Sequence, residues 1–429
     1  MKLLFLLIAS TVLANPNLRK RYDLDGNGVP DYCYDDDTGI AHCLDSNNKW
    51  TTFQGTARPK QTSISGTAKA STPTRPATTS SHITTTSIPS LSTAINAALP
   101  TATLPPPSTF ASQNNSKWII SRVGYIYSSS MPDLTWDKGR TSVLSGTSFW
   151  NFGDVLAKDG LKDGFSMGAA FYSTRTDILK VDTKDIKNVN DWDFAKAHSS
   201  DPPPQGNTPF WGMDTSNVAE VSPGVGVGFV WEIWRAVSGE YVDRGAGIIK
   251  VTLGSKVPLA NRTGPLITGP DGIQVGIMTI LNAEGYIYTY SNGGPSGLII
   301  GRSKLGNAFD ATKYEFLKTT GKWVPGIPKS NDMSYGVQGN VHSDGQGSIM
   351  YSNYFRKYML FTGAYGYYMN FYTSDTPYGP WSGQYGVAGQ VGYGVNVHLE
   401  FSPGGSHRVL YISSGAGDGI MMYKLEFKY

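Results

Sequence analysis

The chain of 429 residues holds only two cysteines, Cys33 and Cys43, too few for a disulfide-dense scaffold or a multi-thiolate zinc site. Charge is scarce as well. Asp, Glu, Lys and Arg make up 16% of the residues and nearly cancel, leaving +3, and no Lys/Arg run interleaves with aromatics as a nucleic-acid surface requires. Nucleic acid is therefore not an expected partner. Past the first residues no apolar run approaches the roughly 18 residues of a transmembrane helix, so no membrane association is expected. The sequence also lacks a Gly-x-Ser-x-Gly elbow, an HExxH pair and a phosphate loop between a strand and a helix, which removes support for esterase, zinc-protease and nucleotide chemistry.

What is abundant points one way. With 50 Gly, 25 Tyr, 17 Phe and 10 Trp, the chain is rich in turn formers and in aromatics that favour strands, so an all-β fold is expected. Weakly charged, aromatic surfaces suit neutral polyols, whose C–H faces stack on rings while their hydroxyls take hydrogen bonds.

Residues 1–14 combine Lys2, the apolar run Leu3 to Ile8 and the small-residue end Val12-Leu13-Ala14, the pattern of a secretory signal. The mature protein is expected outside the cell, as a monomer. Residues 15–21 end in Arg19-Lys20-Arg21, either a processing site or an exposed charged tail. Residues 22–56 form a small module. In it Asp23, Asp25, Asn27, Val29 and Asp31 place oxygens at every second position around glycines, as a Ca2+ ion demands; an acidic Asx-turn loop is the alternative. This stretch resembles the calcium loops of thrombospondin type 3 repeats and EF-hands, with Tyr34 where an EF-hand has its bidentate Glu. Cys33 and Cys43 are expected to close one local disulfide. Residues 57–115 are a linker: from 61 to 110, 29 of 50 residues are Ser, Thr or Pro and none is acidic, so the segment cannot bury enough apolar surface to fold. Asn114 and Asn261 are N-glycosylation acceptors.

From 116 to 429 the strands recur in clusters with no second linker. Trp118 to Tyr127 goes with Ser148 to Phe152, Val225 to Val237 with Gly247 to Leu253, Ile273 to Leu281 with Tyr286 to Tyr290 and Leu298 to Ile300, Ser348 to Thr362 with Tyr367 to Thr373, and Val395 to Phe401 with Val409 to Ser413 and Gly419 to Phe427. At about four strands per blade, this spacing predicts a five-bladed β-propeller; a pair of β-sandwiches is the alternative.

Two carboxylates stand out. Asp137 and Asp154 flank the aromatic stretch Phe149-Trp-Asn-Phe152 beside glycines, and paired carboxyls are what glycoside hydrolysis uses, one as acid and one as base or nucleophile. Turn capping is the plainer role for an Asp next to Gly. Arg140 is a candidate to hold a substrate hydroxyl or one aspartate, with a solvated turn as its ordinary role. Trp136, Trp150 and Trp211 are candidate sugar platforms, although tryptophans of β proteins are usually core. Glu232, within Phe229-Val-Trp-Glu-Ile-Trp234, is a candidate third carboxylate or a blade-edge residue. His398 is a candidate for substrate contact, yet it and His342 lack metal-ligand spacing and a lone histidine is more often structural. No cofactor is expected for catalysis.

Trp136-Asp137, Phe149-Trp-Asn-Phe-Gly-Asp154, the turn Thr373-Ser-Asp-Thr-Pro-Tyr-Gly-Pro-Trp381, Gly394-Val-Asn-Val-His-Leu-Glu-Phe401 and Val409-Leu-Tyr-Ile-Ser413 together resemble the five-bladed propeller glycoside hydrolases related to the endo-D-arabinofuranases. The resemblance covers about residues 118–429 and implies cleavage of furanosidic polymers, with Asp137 and Asp154 as the catalytic pair and a polysaccharide as substrate. It departs from that pattern at Lys138 and Arg140, where glycines usually follow the first aspartate. A non-catalytic carbohydrate-binding propeller is the competing reading.

Overall fold

The computed structural model describes the backbone of residues 32–35, 40–44 and 50–54, and then residues 117–156, 165–174, 176–183, 193–236, 240–293, 297–337, 341, 346–363, 369–388, 394–416 and 419–428. The signal, the calcium-type loop, the linker, Asn114 and His342 lie outside the described residues. The amino-terminal unit is a three-stranded antiparallel sheet of Tyr32–Asp35, Ile40–Leu44 and Trp50–Gln54 in which Cys33 is the register partner of Cys43. Antiparallel partners stand about 4.5–5.5 Å apart at Cα, within the span a disulfide bridges.

Five antiparallel sheets form the blades of the larger unit, and a small sixth sheet joins Thr135–Trp136, Asp154–Leu156 and Phe165–Met167. The innermost strands of the blades, in chain order, are Arg140–Leu144, Ala219–Ser222, Thr279–Ala283, Gly347–Ser352 and Asn396–Val397. Each touches the next, and the last touches the first, so the ring is closed and the fold is a five-bladed β-propeller. Closure is made by the start of the domain: Trp118–Tyr125 is the outer strand of the fifth blade, paired along Gly419–Phe427. The sequence expectation grouped this strand with the first blade. The structure corrects that, because adjacency in sequence says nothing about which end of a closed ring a terminal strand completes.

Alternation of apolar side chains along the strands sends one set into each wedge between blades, and the described core divides into five clusters accordingly. Between the fifth and first blades Trp136, Trp150, Phe152 and Phe171 pack with Ile420 and Met422. The rings of Trp150 and Phe152 stack 5.8 Å apart, and Phe152 meets Trp136 at 4.8 Å. Fully burying an aromatic or aliphatic side chain is worth about 1.5–3 kcal/mol, so these wedges hold the ring together. Phe149, Trp150 and Phe152 are all buried, and none of them forms a cavity wall.

The contact between the first two blades is close at one point. Gly168 has φ of +87°, and a Cβ there would lie 2.0 Å from the carbonyl oxygen of Met213. Only glycine fits this position, and it fixes the residue that precedes Asp214.

Candidate active site

Asp137 follows the short strand Thr135–Trp136 and leads into the inner strand of the first blade. Its partner segment is Asp154–Leu156, with Trp136 opposite Val155. One step on, the pairing changes: the Asp137 amide donates to the Asp154 carbonyl at 2.8 Å, and the Gly153 amide donates to the Asp137 carbonyl at 2.8 Å. One residue thus faces two. That is a β-bulge, a device that re-aims side chains and is frequent beside active sites. The small member is Gly153, where a Cβ would come within 3.2 Å of Lys138 Cδ and 3.4 Å of Asp137 Oδ2. The two aspartates therefore sit at the shoulders of the inner hairpin rather than within it.

Cations and a third carboxylate complete the cluster. Lys138 is held at φ of 56°, a left-handed conformation that costs a non-glycine residue about 1–2 kcal/mol, at the place where the resembling family has glycine. Its charge gives the position a purpose: Nζ donates to Asp214 Oδ2 at 3.1 Å. Arg140 reaches the other oxygen of Asp214 through Nη1 at 3.3 Å and the carbonyl of Ile277 through Nη2 at 3.3 Å. Arg235, at the end of Val225–Arg235, sets Nη1 2.8 and 2.6 Å from the two oxygens of Asp154. A Cβ on Gly394 would meet Gln346 Oε1 at 2.8 Å and Lys138 Cα at 3.3 Å. The lead-in segments of the first, second and third blades thus meet in the Lys138–Arg140–Asp214 cluster, with Gly394 of the fifth beside Lys138 and Gln346 of the fourth beside Gly394. The place is one mouth of the central channel.

Electrostatics hold the Lys138–Asp214 pair charged. Burial by itself would raise the Asp214 carboxyl, but Lys138 and Arg140 outweigh it and keep the group below the usual carboxylate range. For Lys138 burial works downward, and the charges of Asp214, Asp137 and Asp154 prevail over it and over Arg140, raising the ammonium. Three carboxylates face three cations.

The other residues singled out from sequence lie elsewhere. Trp136 and Trp150 are core. Trp211 packs, half-buried, in the wedge between the first two blades. Glu232 is fully buried on the second blade, 3.0 Å from Arg262 Nη1, which also bonds Asp201 at 3.2 Å. Burial and the neighbouring Asp201, opposed by Arg262, push Glu232 up to about 7. His398 is fully buried, with Nδ1 2.8 Å from Thr141 Oγ1, Nε2 2.8 Å from Ser413 Oγ and its ring 4.7 Å from that of Trp150. Burial pushes its imidazole down to about 3, so it is neutral. Asn261 is exposed on the outermost strand of the second blade, Pro258–Arg262. Asp214 and Arg235 were not picked out from sequence. Asp214 is the only charged residue of Phe210–Thr215 and Arg235 ends Val225–Arg235, which also carries Glu232; their partners lie 76 and 81 residues away.

A five-bladed propeller with a carboxylate cluster at one channel mouth is the class that the fold and site define. No protein-family model and no curated sequence matches this chain. Solved structures do. An inferred hydrolase from Bacteroides ovatus superposes with a TM-score of 0.50 at 13% identity, over 72% of this chain and 90% of that one. A family 43 glycoside hydrolase from Xanthomonas citri in complex with xylotriose gives 0.40 at 14% identity, over 68% and 87%. An α-L-arabinanase from Penicillium chrysogenum with arabinobiose gives 0.34 at 12%, over 71% and 77%. At these identities the likeness is one of fold.

Proposed function

We propose that this protein is a secreted glycoside hydrolase that cleaves furanosidic, arabinofuranosyl-type linkages of a polysaccharide, with Asp137 and Asp154 as its working carboxyls. The observation that carries the reading is the Asp137/Asp154 bulge pair set among Lys138, Arg140 and Arg235 at the channel mouth. Hydrolysis of a glycosidic bond passes through an oxocarbenium-like state and needs one protonated and one ionised carboxyl. Arg235 lies on both oxygens of Asp154, a geometry that suits the anion; Asp154 is therefore assigned the ionised role and Asp137 the proton donor. Asp154 then serves as base or nucleophile, and Asp137 protonates the leaving oxygen. The glycan is the expected partner, and the amino-terminal calcium loop, disulfide and linker belong to the same secreted reading.

The test is a product profile from plant, fungal and bacterial cell-wall polysaccharides. Release of arabinofuranosyl products supports the reading. Tight glycan binding with no new reducing ends over long incubation would transfer it to a carbohydrate-binding propeller, a role in which the ion pairs of Asp154 and Asp214 serve as scaffold only.

A further inference from the structure

The longest hairpin of the propeller, Val225–Arg235 with Tyr241–Leu253, carries side chains that two-carboxylate chemistry leaves unused. Alternation puts Trp231, Ile233 and Arg235 on one face. The register sets Asp214 opposite Trp231, and both Phe210 and Tyr241 opposite Arg235. One end of that face is therefore Asp214 with its Lys138 and Arg140, and the other is Arg235 with its Asp154. Between them the Trp231 indole N–H donates to Asp243 Oδ1 at 2.9 Å, and its ring meets Tyr241 edge to face at 5.7 Å and 85°.

These groups are neither core nor ordinary surface. Tyr241 is 37% exposed and Phe210 43%, while Trp231 is half-buried against the wedge between the second and third blades. Asp243 is half-buried too, held by the indole and pushed upward by burial even with that bond and those from the Gly245 amide and Gln274. Ring faces next to a fixed carboxylate recognise a neutral sugar: its C–H face stacks on the ring and its hydroxyls donate to the carboxylate. We infer that Trp231, Tyr241 and Asp243 form a sugar-binding subsite adjoining the carboxylate pair, which takes a further neutral furanose unit of the chain being cut and favours polymers over small glycosides. The inference rests on the glycoside-hydrolase reading of Asp137 and Asp154 for the direction of the chain.

Tyr241→Ala and Asp243→Asn test it, since both positions reach the surface and leave the wedge intact. With a linear arabinofuranosyl hexasaccharide, each variant should lose roughly tenfold or more in kcat/KM, the scale of one stacking or charged contact. With nitrophenyl arabinofuranoside, kcat/KM should stay within about twofold, a change under 0.5 kcal/mol. Calorimetric titration of arabinofuranosyl, xylo- and galacto-hexasaccharides into the Asp154→Asn protein, with and without Tyr241→Ala, reads the subsite without turnover. Binding that Tyr241→Ala abolishes, in a wild type that hydrolyses nothing, keeps the subsite and removes the activity. Hydrolysis in which both substrates fall alike, or neither falls, overturns the subsite and keeps the activity. A wild type that binds none of the three hexasaccharides overturns the subsite.

Discussion

Replacing Asp214 by asparagine keeps the shape of the side chain and strips the anion from the most enclosed ion pair at the channel mouth. The Arg140 and Asp214 side chains are 1% and 2% exposed, and Lys138, which also addresses Asp214, is 16% exposed. Breaking a buried pair by removing one charge generally costs about 3–5 kcal/mol, because the orphaned partner remains desolvated. Two features place this site at the low end. Arg140 retains its bond to the Ile277 carbonyl, and Lys138 has an edge open to water, so about 3 kcal/mol is expected at pH 7. The pH dependence follows from the direction of the shift. The folded Asp214 carboxyl lies below its ordinary value, so its stabilisation is complete above about pH 4 and fades as pH falls through the lower folded value. Urea unfolding of wild type and Asp214→Asn between pH 2 and 7 measures it. The two curves should differ by about 3 kcal/mol at neutral pH and converge in acid. A gap under about 1 kcal/mol at pH 7, no more than one ordinary hydrogen bond, or one that persists undiminished to pH 2, would refute the ion-pair argument.

Other sites give predictions of different kinds. Gly168→Ala forces a Cβ against the Met213 carbonyl at left-handed φ, so it should cost at least about 2 kcal/mol and lower the activity with it, because Met213 precedes Asp214; thermal unfolding and sugar release together check this. Glu232 favours its protonated form in the fold, up to about 7, so its contribution is present below about pH 4 and lost as pH rises through 7. Glu232→Gln should therefore be the more stable protein at pH 8, by on the order of 2–3 kcal/mol, and equal stability of the two from pH 5 to 8 would argue against that burial. Trp150→Ala should destabilise by about 3–5 kcal/mol as a core truncation, and an unchanged urea midpoint would contradict its place in the wedge.

The fold was legible because a propeller repeats one local pattern. Four of the five strand clusters read from aromatic and β-branched residues coincide with blades, the second and third blades reaching five strands. The exception is Trp118–Tyr125, whose partner is the carboxy-terminal strand Gly419–Phe427, a pairing set by ring closure and by no nearby residue. The site was half legible. Asp137 and Asp154 lie close in sequence and share one turn unit, so the glycines around them carry the signal. Arg235 and Asp214 are brought in by the second blade, and nothing local distinguishes a charge at a strand end that meets a partner from one that meets water. Trp136 and Trp150 look the same in sequence whether they line a cavity or fill a wedge, and packing between blades takes both, the ordinary role of tryptophan in a β protein. Glu232 and His398 likewise sit on blade strands, but buried Arg262 and the hydroxyls of Thr141 and Ser413 absorb them.

We propose that the Asp137/Asp154 bulge pair performs the hydrolysis. The most direct measurement is the rate of reducing-end release from arabinan-type polymers by Asp137→Asn and Asp154→Asn, each shown folded by its urea midpoint. Each substitution should lower the rate at least about a hundredfold, the usual contribution of a positioned acid, base or nucleophile. Wild-type rates in either folded variant would contradict the account.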